Sequence, residues 1–348
     1  MIRRFNPDNH EDMVQWDRFV HSRPESLPYH HSNWLLTFRD TYRYAPLLFV
    51  DQDDSMGIRA VAPFFSVRRP LAAQRLVCLP FSDNCGPLSS DSDTMQALLN
   101  YVVGTCASRK LQVEIRQQVN HDQFITQSRF THHVLHLSSD PDDVRRSIDK
   151  RTIQYSIRKA ERAGVIIVQD NTRKGIEEFR RLNLLTRKKH GLPPQPARFF
   201  DLFYENMVQT GKAEILLAHS DGLAIAGGVF MRHNSTVHFK YGASDERFIS
   251  GKTPNHLLTW TAIEKSCREG YAYFDFGRTE RANEGLARYK EMWGAVPHDL
   301  AYSYYPSVGG IAGNWEGRLP YRIATSIMKK LPDRMLQKIG DSIYRYTG

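Results

Sequence analysis

The chain repeats one order of predicted secondary-structure elements, and this repetition constrains the fold more than any other feature of the sequence. From residue 164 onward, hydrophobic periodicity predicts a strand, two helices, three strands, a helix, a strand, a helix and a last strand. The strands are Gly164–Asp170, Ala213–His219, Leu223–Arg232, Thr236–Ala243, Tyr273–Phe276 and Leu300–Tyr305, and the helices are Arg173–His190, Arg198–Gln209, Pro254–Arg268 and Glu284–Trp293. Strands that alternate with amphipathic helices indicate a mixed α/β domain.

The first half of the chain follows the same order, although its residues show no similarity to those of the second half. Its predicted strands are Ile2–Phe5, Pro46–Val50, Ile58–Val67, Arg75–Pro80, Gln112–Arg116 and Thr131–Leu137, and its helices are Glu11–His21, Ser32–Tyr42 and Asp93–Lys110. The expected last helix is short, at His121–Ser128. We therefore predict a mixed α+β protein with two tandem domains, 1–140 and 141–308, in which a basic helical connector spans 142–163.

The positive charge of the chain is concentrated in one segment. The formal net charge is +9, and residues 145–190 contain 14 Lys and Arg against five acidic residues. Arg151 and Arg158 lie seven residues apart there, which predicts one helical face. Localised positive charge favours an anionic partner, whereas the alternative is the solvated face of a helix.

Other classes of protein are excluded or disfavoured by the sequence. The four Cys form no Cys-x-x-Cys pair, so neither a disulfide framework nor a zinc ribbon is indicated. The His30–His31 and His132–His133 pairs lack the spacing of a metal site, and we expect no bound metal. No apolar run approaches the 18 or so residues that a membrane span needs, and we expect a cytoplasmic monomer.

Six segments resemble the FemAB-like acyltransferases of the GNAT superfamily when they are taken together. The second-domain segments are KYGASD at 240–245, PNHLLTWTAIEKSCREG at 254–270, FDFGRT at 274–279 and GLARYKEMWG at 285–294. The connector RTIQYSIRKAERAGV at 151–165 is similar to the arginine-bearing helix of that family, and PFSDNCGPL at 80–88 is similar to its first-domain loop. The resemblance implies two GNAT-like domains and transfer of an aminoacyl or acyl group to an amine of a cell-envelope precursor, such as a peptidoglycan or exopolysaccharide intermediate.

The resemblance places an aromatic–lysine pair of the family at Tyr289 and Lys290. A lysine ammonium near the attacked carbonyl would stabilise the oxyanion that develops in acyl transfer. The alternative is an exposed helix lysine, and on that expectation Lys290→Ala should leave folding intact. Asp83, in the first-domain loop, is expected to bind substrate.

Other candidate residues lie where predicted strands end, a common position for sites in α/β sheets. Asp275 would orient or deprotonate the amine, and Arg278 would hold a phosphate or carboxylate; the alternative is a buried ion pair. Tyr241 would donate to the reacting carbonyl or leaving group. Asn255 would cap its helix or hold a substrate amide, and Arg151 and Arg158 would contact an anionic substrate. We expect Lys290, Asp275, Tyr241 and Arg278 to meet in one cleft.

The sequence does not decide between two acyl donors, and it leaves two alternative functions open. The acyl donor would be aminoacyl-tRNA or acyl-CoA, with no tightly bound cofactor. RFISGKTP at 247–254 lacks the spacing of an acetyl-CoA pyrophosphate loop. The resemblance to Fem-type proteins, which use aminoacyl-tRNA, implies this loss, but the loss does not exclude CoA. One alternative is a CoA-dependent N-acetyltransferase, and another is a non-catalytic module that binds RNA or an anionic glycolipid.

The C-terminal segment 309–348 is predicted to be a basic amphipathic helical tail that Pro332 interrupts. Its apolar positions are Leu331, Met335, Leu336, Ile339 and Ile343. Such a tail would either pack on the domains or lie on an anionic membrane. Burial of Leu336, Ile339 and Ile343 would favour packing, and their exposure would favour the membrane.

Overall fold

The computed structural model describes residues 1–68, 74–306 and 319–346, with the side chains of 319–322 left undescribed. Two compact units make up the chain. Unit 1 contains the described parts of Met1–Phe130, Leu300–Gly313 and Ser342–Gly348, and unit 2 contains those of Thr131–Asp299 and Asn314–Asp341. The predicted division was at 140 and 308. The observed units differ because strand β7 (Ile125–His136) enters unit 2 before residue 140, and strand β13 (Val296–Tyr305) returns to unit 1.

Unit 1 is a mixed sheet covered by helices that bury aromatic side chains. Its other elements are β1 Ile2–Phe5, α1 His10–Ser22, α2 Ser32–Tyr42, β2 Ala45–Gln52, β3 Ile58–Val67, β4 Arg75–Cys78, β5 Leu88–Ser89, α3 Ser92–Arg109 and β6 Gln112–Ile115. The strand order is β1, β2, β3, β4, β6, with β5 paired to β3 and Ser303–Tyr305 of β13 paired to β6. Only β4 and β6 pair in parallel among the strand pairs of this unit that the structure describes.

Unit 2 carries the remaining elements. They are α4 Pro141–Ser147, α5 Tyr155–Arg162, β8 Ile166–Gln169, α6 Arg173–Lys189, α7 Ala197–Phe203, β9 Ala213–Ser220, β10 Leu223–His233, β11 Thr236–Ser244, α8 Glu246–Lys252, α9 Pro254–Arg268, β12 Tyr273–Glu280, α10 Glu284–Glu291, α11 Leu319–Lys330 and α12 Asp333–Ile343. Strands β8 to β11 are successively antiparallel, β11 and β12 are parallel, and β7 follows β12.

Two segments that the sequence predicts to be helical differ from that prediction in the structure. The connector is not one helix over 142–163, because the chain is extended at Ile148 between α4 and the π-helical turn Lys150–Gln154 that leads into α5. The short helix expected at His121–Ser128 is wrong, since β7 begins at Ile125 and extends the predicted strand toward its N-terminus.

Two adjacent glycines of β10 show that α6 and α9 cover opposite faces of the unit 2 sheet. A Cβ atom at Gly227 would lie 3.0 Å from Phe179 of α6, whereas a Cβ atom at Gly228 would lie 2.8 Å from Leu258 of α9. Successive residues of a strand point to opposite faces. The absence of side chains at both positions lets both helices approach the sheet closely.

The tail packs on unit 2 through close backbone approaches. A Cβ atom at Gly340 of α12 would lie 2.2 Å from the carbonyl oxygen of Pro194, and one at Gly191 would lie 2.2 Å from that of Thr325 in α11. Leu336 is fully buried, but Ile339 is only half-buried and Ile343 is exposed. The packing alternative therefore holds at Leu336 but not at Ile343, and contact of the tail with a membrane stays a prediction.

The Gly340 contact predicts a stability effect. Gly340→Ala should lower the free energy of unfolding by about 1–3 kcal/mol, because the added methyl group overlaps a backbone carbonyl. Urea denaturation measures this change. The control is Gly285→Ala in α10, where a Cβ atom would meet no described atom within 4 Å and where alanine is the better helix former. Equal stability of Gly340→Ala and the parent would contradict the packing.

Candidate functional site

Strands β11 and β12 pair only at their beginnings, and the best candidate site lies where they separate. Their parallel register covers Thr236–Tyr273, Val237–Phe274 and His238–Asp275. Beyond His238, β11 continues to Ser244, and beyond Asp275, β12 continues to Glu280. Two parallel strands that separate leave a gap at their carboxyl ends, which is where α/β sheets usually bind ligands.

A β-bulge turns Tyr241 toward the same sheet face as His238. Phe230 of β10 pairs with Phe239, while the preceding Val229 pairs with Tyr241, so that Lys240 is the extra residue. His238 and Tyr241 therefore share the face that α6 and α7 cover. The Tyr241 ring lies edge-on to Phe199 at 6.0 Å, which confirms that face.

The carboxylate of Asp275 lies between two imidazoles on this face. Its Oδ1 is 2.8 Å from Nε2 of His132 and its Oδ2 is 2.7 Å from Nδ1 of His238. Burial alone would raise the pKa of Asp275, but the charges and hydrogen bonds of His132 and His238 outweigh it and hold that pKa well below its ordinary value. Asp275 is therefore a buried carboxylate that stays ionised.

Lys290 is buried rather than exposed, which overturns the expectation that its replacement leaves folding intact. Only 5% of the residue is accessible, and its Nζ donates to the carbonyl oxygens of Gly277 at 2.8 Å and Arg278 at 3.1 Å. The amide N–H of Gly277 in turn donates to Oδ1 of Asp275 at 2.6 Å. Gly277 has a φ of 70°, a left-handed conformation that favours glycine. Asp275, Gly277 and Lys290 thus form one connected group.

The other predicted residues lie around this group or away from it. Arg278 is half-buried on β12, whereas Tyr289 packs in the hydrophobic core against Trp293 and His256, where burial raises its pKa. Asn255 does not cap α9, because Thr253 holds that position; its Nδ2 lies 3.4 Å from Oγ of Ser244 at the end of β11.

The remaining substrate-binding candidates are two exposed arginines of unit 2 and one aspartate of unit 1. Arg151, in the π-helical turn, and Arg158, in α5, are both exposed, and neither has an acidic partner within 4.0 Å among the described residues. Asp83 belongs to unit 1, where its carboxylate accepts from the Tyr29 hydroxyl at 3.0 Å. The structure therefore connects Asp275 and Lys290 and places Tyr241 on the face of Asp275, while the meeting of all four residues in one cleft stays a prediction.

Sequence reasoning missed the two histidines that hold Asp275. In the sequence, His132 stands out only as half of a His–His pair that lacks metal-site spacing, and His238 belongs to no motif. The alternation of β11 could have indicated that His238 is buried, but no spacing rule links it to a residue 37 positions later. Within the described ranges, no group of three His, Cys, Asp or Glu side chains is arranged to hold a metal ion. The expectation of a metal-free protein stays a prediction.

Comparison with known proteins shows which domain family and which folds this chain resembles. Residues 147–291 match the model of an acetyltransferase (GNAT) domain. The lipid II:glycine glycyltransferase of Staphylococcus aureus is 29% identical over 82 residues, which are 22% of this chain and 19% of that protein. The aligned part thus spans about a fifth of that relative's length.

Two solved structures share the fold over most of their length. FemX superposes with a TM-score of 0.69 and 16% identity, over 87% of this chain and 96% of FemX. A tandem GNAT protein from the clavulanic acid biosynthesis pathway superposes with a TM-score of 0.54 and 12% identity, over 89% of this chain and 99% of that one. At these identities the likeness establishes the fold, which is the predicted tandem GNAT architecture. The comparisons agree with the resemblance drawn from these motifs: residues 147–291 match a GNAT acetyltransferase domain, and FemX has the same fold.

Proposed function

We propose that the protein transfers an aminoacyl or acyl group to an amine of a cell-envelope precursor, at the gap between β11 and β12. The observation that carries the proposal is the ionised Asp275 carboxylate held by His132 and His238 where the strands separate. Amide formation from an ester or thioester requires a base for the amine proton and stabilisation of the carbonyl oxygen. The GNAT domain over residues 147–291 supports this class of reaction.

The residues of the gap fit the steps of this transfer. The amine nitrogen attacks the carbonyl carbon of the donor and loses a proton to the neutral form of His238, whose imidazole Asp275 orients through Nδ1. The proton then passes to the departing alcohol or thiol of the donor. Lys290 supplies a fixed positive charge next to Gly277, which favours the negative charge that develops on the carbonyl oxygen.

Positive surface on unit 2 supports a phosphate-bearing donor, either aminoacyl-tRNA or acyl-CoA. A cavity of about 420 Å³ adjoins the end of β11 at Ser244. Its lining includes Lys188, Lys189, Arg247 and Lys329. Asp245 and Glu246 also line it and pair with Arg247 and Lys189, so that the cationic side chains of the lining exceed the anionic ones. The exposed guanidinium groups of Arg151 and Arg158 add to this charge. Phosphate binding by lysine and arginine is the ordinary use of such surfaces.

Transfer assays test both the reaction and the roles of these residues. Aminoacyl-tRNA and acyl-CoA are compared as donors with a peptide amine as acceptor, and amide formation is measured. We expect Asp275→Asn and Lys290→Ala each to lower kcat by about 10²–10³-fold. Lys290→Ala should also lower the unfolding free energy by about 1–3 kcal/mol, because it leaves two buried carbonyl groups without their donor.

The matched control is Asp201→Asn, which alters an exposed carboxylate of α7 and should leave kcat unchanged. Stability is measured for every variant, so that a loss of folding is separated from a loss of chemistry. Absence of transfer from both donors would overturn the proposal. An unchanged kcat in Asp275→Asn would remove that carboxylate from the mechanism.

We further propose that the tail contacts an anionic membrane, where a lipid-linked acceptor would be held. Within the described ranges, no helix is both long enough and apolar enough to cross a bilayer. Ile323 and Ile327 of α11 lie one turn apart and are 53% and 55% exposed, with exposed Lys329 and Lys330 beside them. Apolar side chains flanked by lysines are typical of helices that lie on anionic lipid surfaces.

Vesicle flotation tests the membrane contact. The full chain should float with vesicles that contain phosphatidylglycerol and should remain unbound with phosphatidylcholine alone. The double variant Ile323→Ser/Ile327→Ser should lose at least tenfold in vesicle partitioning, because it removes two apolar anchors. Ile166→Ser on β8, which changes a residue that is 65% exposed, is the control and should float normally. Equal flotation of the double variant and the parent would exclude this surface.

A further inference from the structure

A cavity of about 450 Å³ lies against α10 in unit 2, on the side of the helix turned away from Tyr289. Glu284, Arg288 and Glu291 line it from α10, and their spacing of four and three residues places them on one helical face. Arg281 and His133 are also part of the lining. The cavity therefore presents both signs of charge together with one imidazole.

The charged side chains of this α10 face are not neutralised by one another. Glu284 and Arg288 have the spacing of a helical ion pair, yet among the described residues neither makes an ion pair within 4.0 Å. Arg281, in contrast, is paired with Asp299. A guanidinium and carboxylates that remain solvated on one concave surface are available to a ligand that carries the opposite charges.

His133 gives the cavity a buried polar atom. The residue has no accessible surface, and its Nε2 has no hydrogen-bond partner among the described residues. The nearest acidic atom is Oε1 of Glu291 at 4.0 Å, which is beyond hydrogen-bonding distance. Burial and the charge of Lys290 lower the pKa of His133 to about 4, so the imidazole is neutral near pH 7. Leaving such an atom unsatisfied costs about 1–3 kcal/mol, which a bound polar group would recover.

We propose that this cavity binds a zwitterionic ligand of the size of an amino acid or dipeptide. Arg288 would hold the carboxylate of the ligand, Glu284 and Glu291 would hold its ammonium group, and Nε2 of His133 would hydrogen-bond to a polar atom of its backbone. A planar guanidinium suits a carboxylate, and charge-assisted hydrogen bonds provide the affinity. Lys290 influences His133 electrostatically, so the cavity adjoins the lysine of the proposed transfer site. Its use as the subsite for the acceptor rests on the proposed function.

Calorimetric titration of the full chain with alanyl-alanine tests the proposal without any transfer reaction. Two blocked probes separate the charges: N-acetyl-alanyl-alanine lacks the ammonium group, and alanyl-alaninamide lacks the carboxylate. We expect saturable binding of alanyl-alanine and at least tenfold weaker binding of each blocked probe. Arg288→Gln should weaken the binding of alanyl-alanine at least tenfold but leave the affinity for alanyl-alaninamide unchanged. The double variant Glu284→Gln/Glu291→Gln should leave the affinity for N-acetyl-alanyl-alanine unchanged.

The control variant is Arg268→Gln, which removes an exposed arginine of α9 and should bind alanyl-alanine like the parent. Absence of saturable binding, or equal binding of all three probes, would overturn the proposal. Because the titration requires no donor, failure of transfer with normal dipeptide binding would refute the proposed function and leave this site standing. Loss of binding with intact transfer would refute the site alone.

Discussion

The separation of β11 from β12 after only three paired residues is the constraint on which the candidate site depends. Had the pairing continued in this register, the backbone groups of Tyr241 and Arg278 would face each other as ladder partners, and no gap would exist. The bulge at Lys240 and the left-handed Gly277 both fall in the stretch where pairing has ended. Each changes the direction of a strand, and together they set which side chains face the gap.

Beyond the point where β11 and β12 separate, β12 lacks backbone hydrogen bonds to β11. Hydrogen bonds from charged side chains hold it in position instead. Lys290 donates to two carbonyl oxygens of β12, and Asp275 accepts from the amide of Gly277. A buried charge is tolerated when it is paired and hydrogen-bonded. In this chain the same ionised groups hold the strand and supply the charge that acyl transfer would use. Structural and chemical roles therefore cannot be separated by one substitution at Lys290, and stability must be measured with activity.

The sequence predicted the elements of the fold well because they depend on local periodicity. Ile2–Phe5, Ser32–Tyr42, Ile58–Val67 and Pro254–Arg268 have the predicted bounds. The prediction from local periodicity was wrong at residues 121–128, where a loop and the start of β7 replace the expected helix. The conformation of such a polar stretch depends on pairing with strands that are distant in sequence. The candidate site was less predictable for the same reason. Asp275 and Lys290 were recognised from motifs, but the partners of Asp275 come from β7 and β11, and only the tertiary fold brings those strands to it.

Two adjacent histidines of β7 lie in different environments and have different partners. His132 and His133 are neighbours in sequence, and strand alternation directs them to opposite faces of the sheet. His132 contacts the Asp275 carboxylate on the face that α6 covers, whereas His133 lines the cavity beside α10. The two imidazoles beside Asp275 lower the pKa of that carboxylate, while burial and Lys290 lower the pKa of His133 to about 4. The environment of each face, rather than the residue type, therefore decides that His132 holds the Asp275 carboxylate and that His133 provides a neutral hydrogen-bonding group.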